Sequence, residues 1–141
     1  MLAQNSFLIS DYTFEKDALF ARINLQGDEL QMYYRVQEAL REKIIYPDLI
    51  VYLRASTETL MQRIAFRDRP YERTMDPEYI DELNHSYEKF FMKENAKESS
   101  ILTIDTNKID IIRNQEDLQY VEDKIRQTLQ LPPFQPELPI S

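Results

Sequence analysis

Glycine is almost missing from this chain: Gly27 is the only one in 141 residues. A loop that cradles phosphate with its backbone needs several glycines, because side chains at those positions keep the N–H groups from closing on the anion. These residues therefore form neither a G-x-x-G-x-G-K-S/T phosphate loop nor a dinucleotide fingerprint. Cysteine is absent, which excludes a disulfide framework and a thiolate metal site. His85 is the one histidine, so no zinc site is expected, nor any other metal site built by the chain itself. No apolar run approaches the roughly 20 residues that cross a bilayer. Met1 is not followed by a charged stretch and an apolar core of the signal-peptide kind. The expectation is a soluble, cytoplasmic protein with no membrane partner. Positive charge is also scarce, with 17 Lys and Arg against 25 Asp and Glu and a formal net charge of -8. That argues against nucleic acid as a partner, since such binding needs clustered cations to displace counterions. It leaves room for a local basic pocket that takes a small phosphorylated ligand.

What is present suits one globular domain with a modest core: 43% of the residues are hydrophobic, well above the disordered range. Phe7-Leu8-Ile9-Ser10 reads as a short buried strand with Asp11 at its C-terminal end. Phe14 to Asn24 has helical spacing, and Gly27 breaks the chain. A second helix is expected from Asp28 to about Lys43, opened by a capping box between Asp28 and Gln31. Leu49 to Leu53 is the strongest strand, apolar on both faces. Ser56 or Thr57 caps a helix through about Phe66, and a charged loop runs from Arg67 to Thr74. Asp76-Pro77-Glu78 starts another helix with an N-cap, a proline at the first position and an acid in the first turn; it runs to about Lys93. Ile101 to Asp105 is a third strand. Asn114 opens a last helix that ends near Leu129, and a proline-rich tail occupies 131–141. Strands alternating with helices indicate an α/β fold with a parallel sheet. Ligands of such sheets bind beyond the C-terminal strand ends, where Asp11 and Asp105 stand.

Three constellations can carry chemistry, and each has a plainer structural reading. Arg63 and Arg67 lie one helical turn apart with Arg69 just beyond. Three guanidiniums converging there can clamp phosphate oxygens and stabilise a transferring phosphoryl group. Alternatively they offset a helix dipole and pair with Asp68 and Glu72. Asp11 can accept a proton from a substrate hydroxyl or cap the helix that begins near Thr13. Glu72 can accept a hydrogen bond from a sugar hydroxyl or pair with Arg69 or Arg73. Tyr33, Tyr34, Tyr79, Tyr87, Phe90 and Phe91 fall at helical spacings and read as packing residues.

Together these residues resemble the deoxynucleoside kinases, the family of deoxycytidine, deoxyguanosine and deoxyadenosine kinases. Pro47-Asp48-Leu49-Ile50-Val51-Tyr52-Leu53-Arg54-Ala55 is similar to the family's fourth strand. Arg63-Ile64-Ala65-Phe66-Arg67-Asp68-Arg69-Pro70-Tyr71-Glu72 resembles its lid, RI-x-x-R-x-R-x-x-E. Pro77 to Leu83 with Tyr87-Glu88 resembles the helix after the lid. DYTFEKDALFARIN, from Asp11 to Asn24, resembles a bacterial segment that often reads DRSIYEDALFAKMN. Ile104-Asp105-Thr106-Asn107 is similar to the end of the fifth strand. The likeness extends to about Leu129, so residues 1–130 are expected to be the C-terminal part of such a kinase domain.

The resemblance implies an incomplete P-loop-kinase-type, three-layer fold with strands 3, 4 and 5 of a parallel sheet and flanking helices. It implies phosphorylation of a deoxynucleoside 5′-hydroxyl with ATP and Mg2+, in nucleotide salvage. Asp11 matches the general base. Arg63, Arg67 and Arg69 match the lid arginines on the phosphates, and Glu72 the carboxylate that recognises the sugar 3′-hydroxyl. Asn107 to Asp110 match the loop beside the adenine. Tyr12 stands where many relatives carry an arginine. The family's first strand, phosphate loop and second strand have no counterpart here. The first strand normally lies between the third and fourth, so Phe7–Ser10 and Leu49–Leu53 are expected to border an empty slot. The fragment is expected to be inactive alone and to form a homodimer or pair with a full-length kinase, a helix near Asp28–Lys43 contributing to the family's dimer interface. The rivals are a non-catalytic partner subunit and a thymidylate-kinase-like nucleotide kinase, which shares an arginine-rich lid.

Overall fold

Thr13 opens the first helix, α1 (Phe14–Asn24), its hydroxyl oxygen accepting the Lys16 N–H at 3.1 Å. This satisfies one of the donors that every helix start leaves without a partner. The computed structural model describes residues 7–11, 13–94 and 100–133, and the chain divides into two units, Met1–Ile45 and Tyr46–Ser141. In the first unit, α1 is followed by α2 (Gly27–Arg41). Gly27 has φ +58°, a left-handed conformation that glycine adopts without a Cβ penalty. The Asp28 capping box is not formed: the helix starts at Gly27, and its N-cap, Gln26, makes no side-chain capping bond. The Tyr33 hydroxyl donates to the Asp17 carboxylate at 2.8 Å, tying α2 to α1.

The expected strand at Phe7–Ser10 is not present. These residues have no regular structure, and Phe7, Leu8 and Ile9 are exposed. An apolar run becomes a strand only when its backbone finds a ladder to join, and no ladder reaches this segment among the described residues.

The second unit holds the sheet. β1 (Leu49–Arg54) and β2 (Ser100–Asp105) pair in parallel, from Leu49 opposite Ser100 to Arg54 opposite Asp105. The two strands that resemble the family's fourth and fifth are thus adjacent and parallel. Ile50, Tyr52 and Ile104 are buried, whereas Leu53 remains 45% exposed. β1 therefore buries Ile50 and Tyr52 on one face, and among the described residues its second edge carries no strand.

α3 (Thr57–Arg67) follows β1, capped by the Ser56 hydroxyl, and ends at Asp68 in the left-handed region (φ 47°). A 3-10 turn at Pro70–Glu72 leads to α4 (Pro77–Glu88), with Asp76 as N-cap and Pro77 in the first turn. α4 continues as a π-helical turn, Lys89–Glu94. There Phe91 is buried and stacks on Tyr52 and Tyr87, with centroids 5.0 and 5.9 Å apart. Burial, and then the neighbouring Tyr52 and Tyr79, push the Tyr87 phenol up to about 12. The Tyr52 hydroxyl is buried and has no hydrogen-bond partner among the described residues. α5 (Gln115–Thr128) starts at Asn114, whose side-chain oxygen accepts the N–H groups of Glu116 and Asp117. The α/β class holds. Of the proline-rich tail, residues 131–133 have no regular structure and the remainder lies outside the described residues.

Candidate functional site

The lid turn takes its shape from the αL residue Asp68 and from Pro70. Asp68 reverses the chain at the end of α3, and Pro70 sets the backbone for the 3-10 turn. The two reversals allow two ion pairs to close across the turn, each between residues five apart. Arg67 engages the Glu72 carboxylate with both Nε, at 3.0 Å, and Nη2. Arg73 engages Asp68 in the same forked manner, at 2.8 and 3.1 Å. Glu72 is only 9% exposed, whereas Asp68 and Arg73 are about 60% exposed. The first pair is a shielded, charge-assisted interaction and the second a solvated one. Glu72 thus pairs with Arg67, the last residue of α3, rather than with Arg69 or Arg73.

The three arginines do not converge. Arg63 turns toward the loop after β2. Its Nη1 donates to the Thr106 hydroxyl at 2.9 Å, and its Nη2 donates to the carbonyls of Thr106 and, at 3.3 Å, Ile109. Arg69 donates to the Tyr71 hydroxyl at 3.0 Å and is the one of the three that has neither an ion pair nor a carbonyl partner among the described residues. A hollow of about 100 Å³ lies against this turn, bordered by Met61, Ile64, Asp68, Arg69 and Glu72. That is well below the roughly 300–1,000 Å³ of a site that encloses a small molecule, so the hollow holds no nucleoside by itself.

The loop residues matched to the adenine side hold local structure. The Asn107 side-chain oxygen accepts the Ser56 N–H at 2.8 Å, and Asp105 accepts from both nitrogens of Asn107 at 2.9 Å. The Asp110 carboxylate accepts from the N–H groups of Ile112 and Arg113, at 3.1 and 3.0 Å. Arg113 in turn lies over the Phe66 ring, 4.1 Å from its centre, a cation–π contact between this loop and the end of α3. Asp11 belongs to the first unit. Its side chain is not the helix cap, a role filled by Thr13, and its carbonyl accepts from Lys16 Nζ at 3.4 Å. Tyr12 lies outside the described residues. Sequence reasoning missed Thr106, which is buried and central to the loop's hydrogen bonding; its only signal was its place just after the second strand.

The α/β fold resembles that of deoxyadenosine kinase, which is of the P-loop-kinase type. A family model, "Deoxynucleoside kinase", matches residues 2–130, and the chain belongs to the deoxynucleoside kinase family. It is 28% identical over 86% of its length to a deoxyguanosine kinase from Bacillus subtilis and 28% identical over 84% to a deoxyadenosine kinase from Lactobacillus acidophilus. It spans 60% and 63% of the length of those two relatives. A solved structure of deoxyadenosine kinase from M. mycoides with bound dCTP superposes with a TM-score of 0.66 at 25% identity, over 79% of this chain and 60% of that one.

Proposed function

We propose that this chain is the base-and-lid portion of an ATP-dependent deoxynucleoside 5′-kinase. The lid turn carries the reading: Arg67, Arg69 and Glu72 are brought into one short reversal at the C-terminal end of α3. In this reading Glu72 accepts a hydrogen bond from the sugar 3′-hydroxyl, and that exchange releases Arg67 toward phosphate. Arg69, whose fork is open, meets phosphate first. Both stabilise charge on the migrating phosphoryl group. Asp11 takes the proton as the 5′-oxygen bonds to phosphorus. Asn107 and Asp110 shape the adenine-side loop. ATP, when bound, would supply the γ-phosphoryl group, its bond to that phosphorus breaking as ADP leaves. By resemblance, the main phosphate and Mg2+ site belongs to the segment of the family's fold that these residues do not match. The setting is nucleotide salvage in the cytoplasm. No helix among the described residues is long and apolar enough to cross a membrane.

With one glycine, these 141 residues cannot supply a backbone phosphate cradle, and alone they are expected to give no turnover with any deoxynucleoside and Mg-ATP. The test is a chimera that adds the unmatched part of the Bacillus subtilis relative. Phosphorylation of a deoxynucleoside by that chimera supports the reading, and Asp11→Asn should lower its kcat by about 100-fold, the scale of a lost general base. Steady turnover by the 141 residues alone, or an Asp11→Asn chimera with undiminished kcat, contradicts it.

A second reading, a partner that pairs with its own kind or with a full-length kinase, is favoured by α2. This helix has no buried residue, and Met32, Val36 and Leu40 form an exposed apolar row along it. Sedimentation of the chain with and without such a kinase separates the two readings.

A further inference from the structure

We infer that Arg63 and Thr106 form a positioning pair that sets the loop after β2, and that Arg63 acts through this loop rather than on phosphate. The inference rests on the kinase reading for its functional meaning and on hydrogen bonding for its geometry.

Thr106 follows the last residue of β2 and is 6% exposed. Its N–H donates to the Arg54 carbonyl at 2.8 Å, and its hydroxyl donates to the same carbonyl at 2.9 Å. The hydroxyl oxygen is then available as an acceptor, and Arg63 Nη1 fills it. Arg63 Nη2 closes on the carbonyls of Thr106 and Ile109. One guanidinium therefore joins the middle of α3 to both sides of the turn between Thr106 and Ile109. The Arg54 side chain extends the linkage by pairing with Glu88 on α4. Carbonyl oxygens at a strand end need donors when they are partly shielded from water, and a planar fork meets several in fixed directions.

An arginine so engaged can reach an anion only by abandoning three acceptors. Arg69, with a single bond to an exposed tyrosine hydroxyl, faces no such obstacle. Two nominally equivalent lid arginines thus divide the labour: Arg69 meets the anion, and Arg63 fixes the loop that carries Asn107, Asp110 and Arg113. Thr106 gives the means to separate these roles, because Thr106→Val removes the hydroxyl and leaves every charge in place.

The test uses the 141-residue chain, hydrogen exchange of the amides from Asn107 to Asn114, and calorimetric titration with inorganic tripolyphosphate. Arg63→Gln and Thr106→Val should each speed exchange in this loop by about tenfold, the effect of losing one or two hydrogen bonds. The amides of β1 and β2 serve as a fold control. Tripolyphosphate affinity should change by the same factor in both variants, while Arg69→Gln weakens it with the loop's exchange unchanged. If Arg63→Gln weakens binding and Thr106→Val does not, Arg63 contacts the anion directly and the inference fails. It fails equally if neither variant alters the loop. If the parent chain does not bind tripolyphosphate, the kinase reading loses its support from the lid, and the exchange data still decide the positioning role.

Discussion

The two ends of α3 are built from different chemistry. At the N-terminal end, Ser56 caps the helix, Asn107 accepts the Ser56 N–H, the Thr57 hydroxyl donates to Asp81 at 2.6 Å, and Asn84 donates to the Ala55 carbonyl at 3.0 Å. Neutral groups take part in each of these bonds. At the C-terminal end two ion pairs close across the turn, Arg67 with Glu72 and Arg73 with Asp68. Bonds in which at least one partner is neutral hold the frame in one arrangement and respond less to salt than ion pairs do. Ion pairs across an open turn can exchange partners when a hydroxyl or an anion arrives. One helix therefore joins a fixed scaffold to a responsive lid.

Substitutions at the two ends can break this contrast. Glu72→Gln removes the charge from the shielded pair and leaves Arg67 without its counterion. It should lower stability by about 2 kcal/mol at low salt, the scale of a charged hydrogen-bonded pair. The difference should narrow as ionic strength rises, as thermal unfolding across a salt series would show. Ser56→Ala should cost about 1 kcal/mol, as for a lost N-cap, and the cost should be the same at every salt concentration. Equal salt responses from the two variants would erase the distinction. Arg73→Gln, which breaks the solvated pair, should cost at most about 0.5 kcal/mol.

Alkali provides a common reference for both ends. Burial raises the Tyr87 phenol from 10.0 to about 12, so at high pH the folded state retains a proton that the unfolded state has lost. Stability from this group is complete below pH 10 and falls as pH rises toward about 12. Tyr87→Phe should flatten that fall without altering the salt response of either end. The smallest expected change is at Tyr52. Its buried hydroxyl has no partner among the described residues, so Tyr52→Phe should leave stability unchanged or raise it by up to about 1 kcal/mol.

Much of the scaffold could be read along the chain, because caps are local signals. Ser56, Asp76 with Pro77, and Asn114 each stand where a helix begins. That β1 and β2 lie side by side in a parallel sheet was implied by their resemblance to the family's fourth and fifth strands rather than by any local pattern. What escaped the sequence depends on partners that are distant or missing. Phe7–Ser10 has the composition of a strand and forms none, since composition does not supply a ladder. The lid arginines showed their number and spacing but not their directions. Arg63 finds its acceptors 43 residues away, which no local pattern encodes. Glu72 was recognised as a lid carboxylate, yet its bond to Arg67 depends on the reversal at Asp68, an αL position occupied by a residue other than glycine. Asn107 and Asp110 were assigned by resemblance to the cofactor side. Their side chains hold the backbone of the loop, a role of Asn and Asp that sequence position alone does not distinguish from ligand binding.

The most direct test is hydrogen exchange along α3 and the lid during titration with tripolyphosphate. The account predicts slower exchange from Arg67 to Met75, where the charged groups meet the anion, and unchanged exchange from Thr57 to Leu60, where neutral groups hold the frame. Uniform protection of both ends, or none at the lid when the anion is in excess, would contradict it.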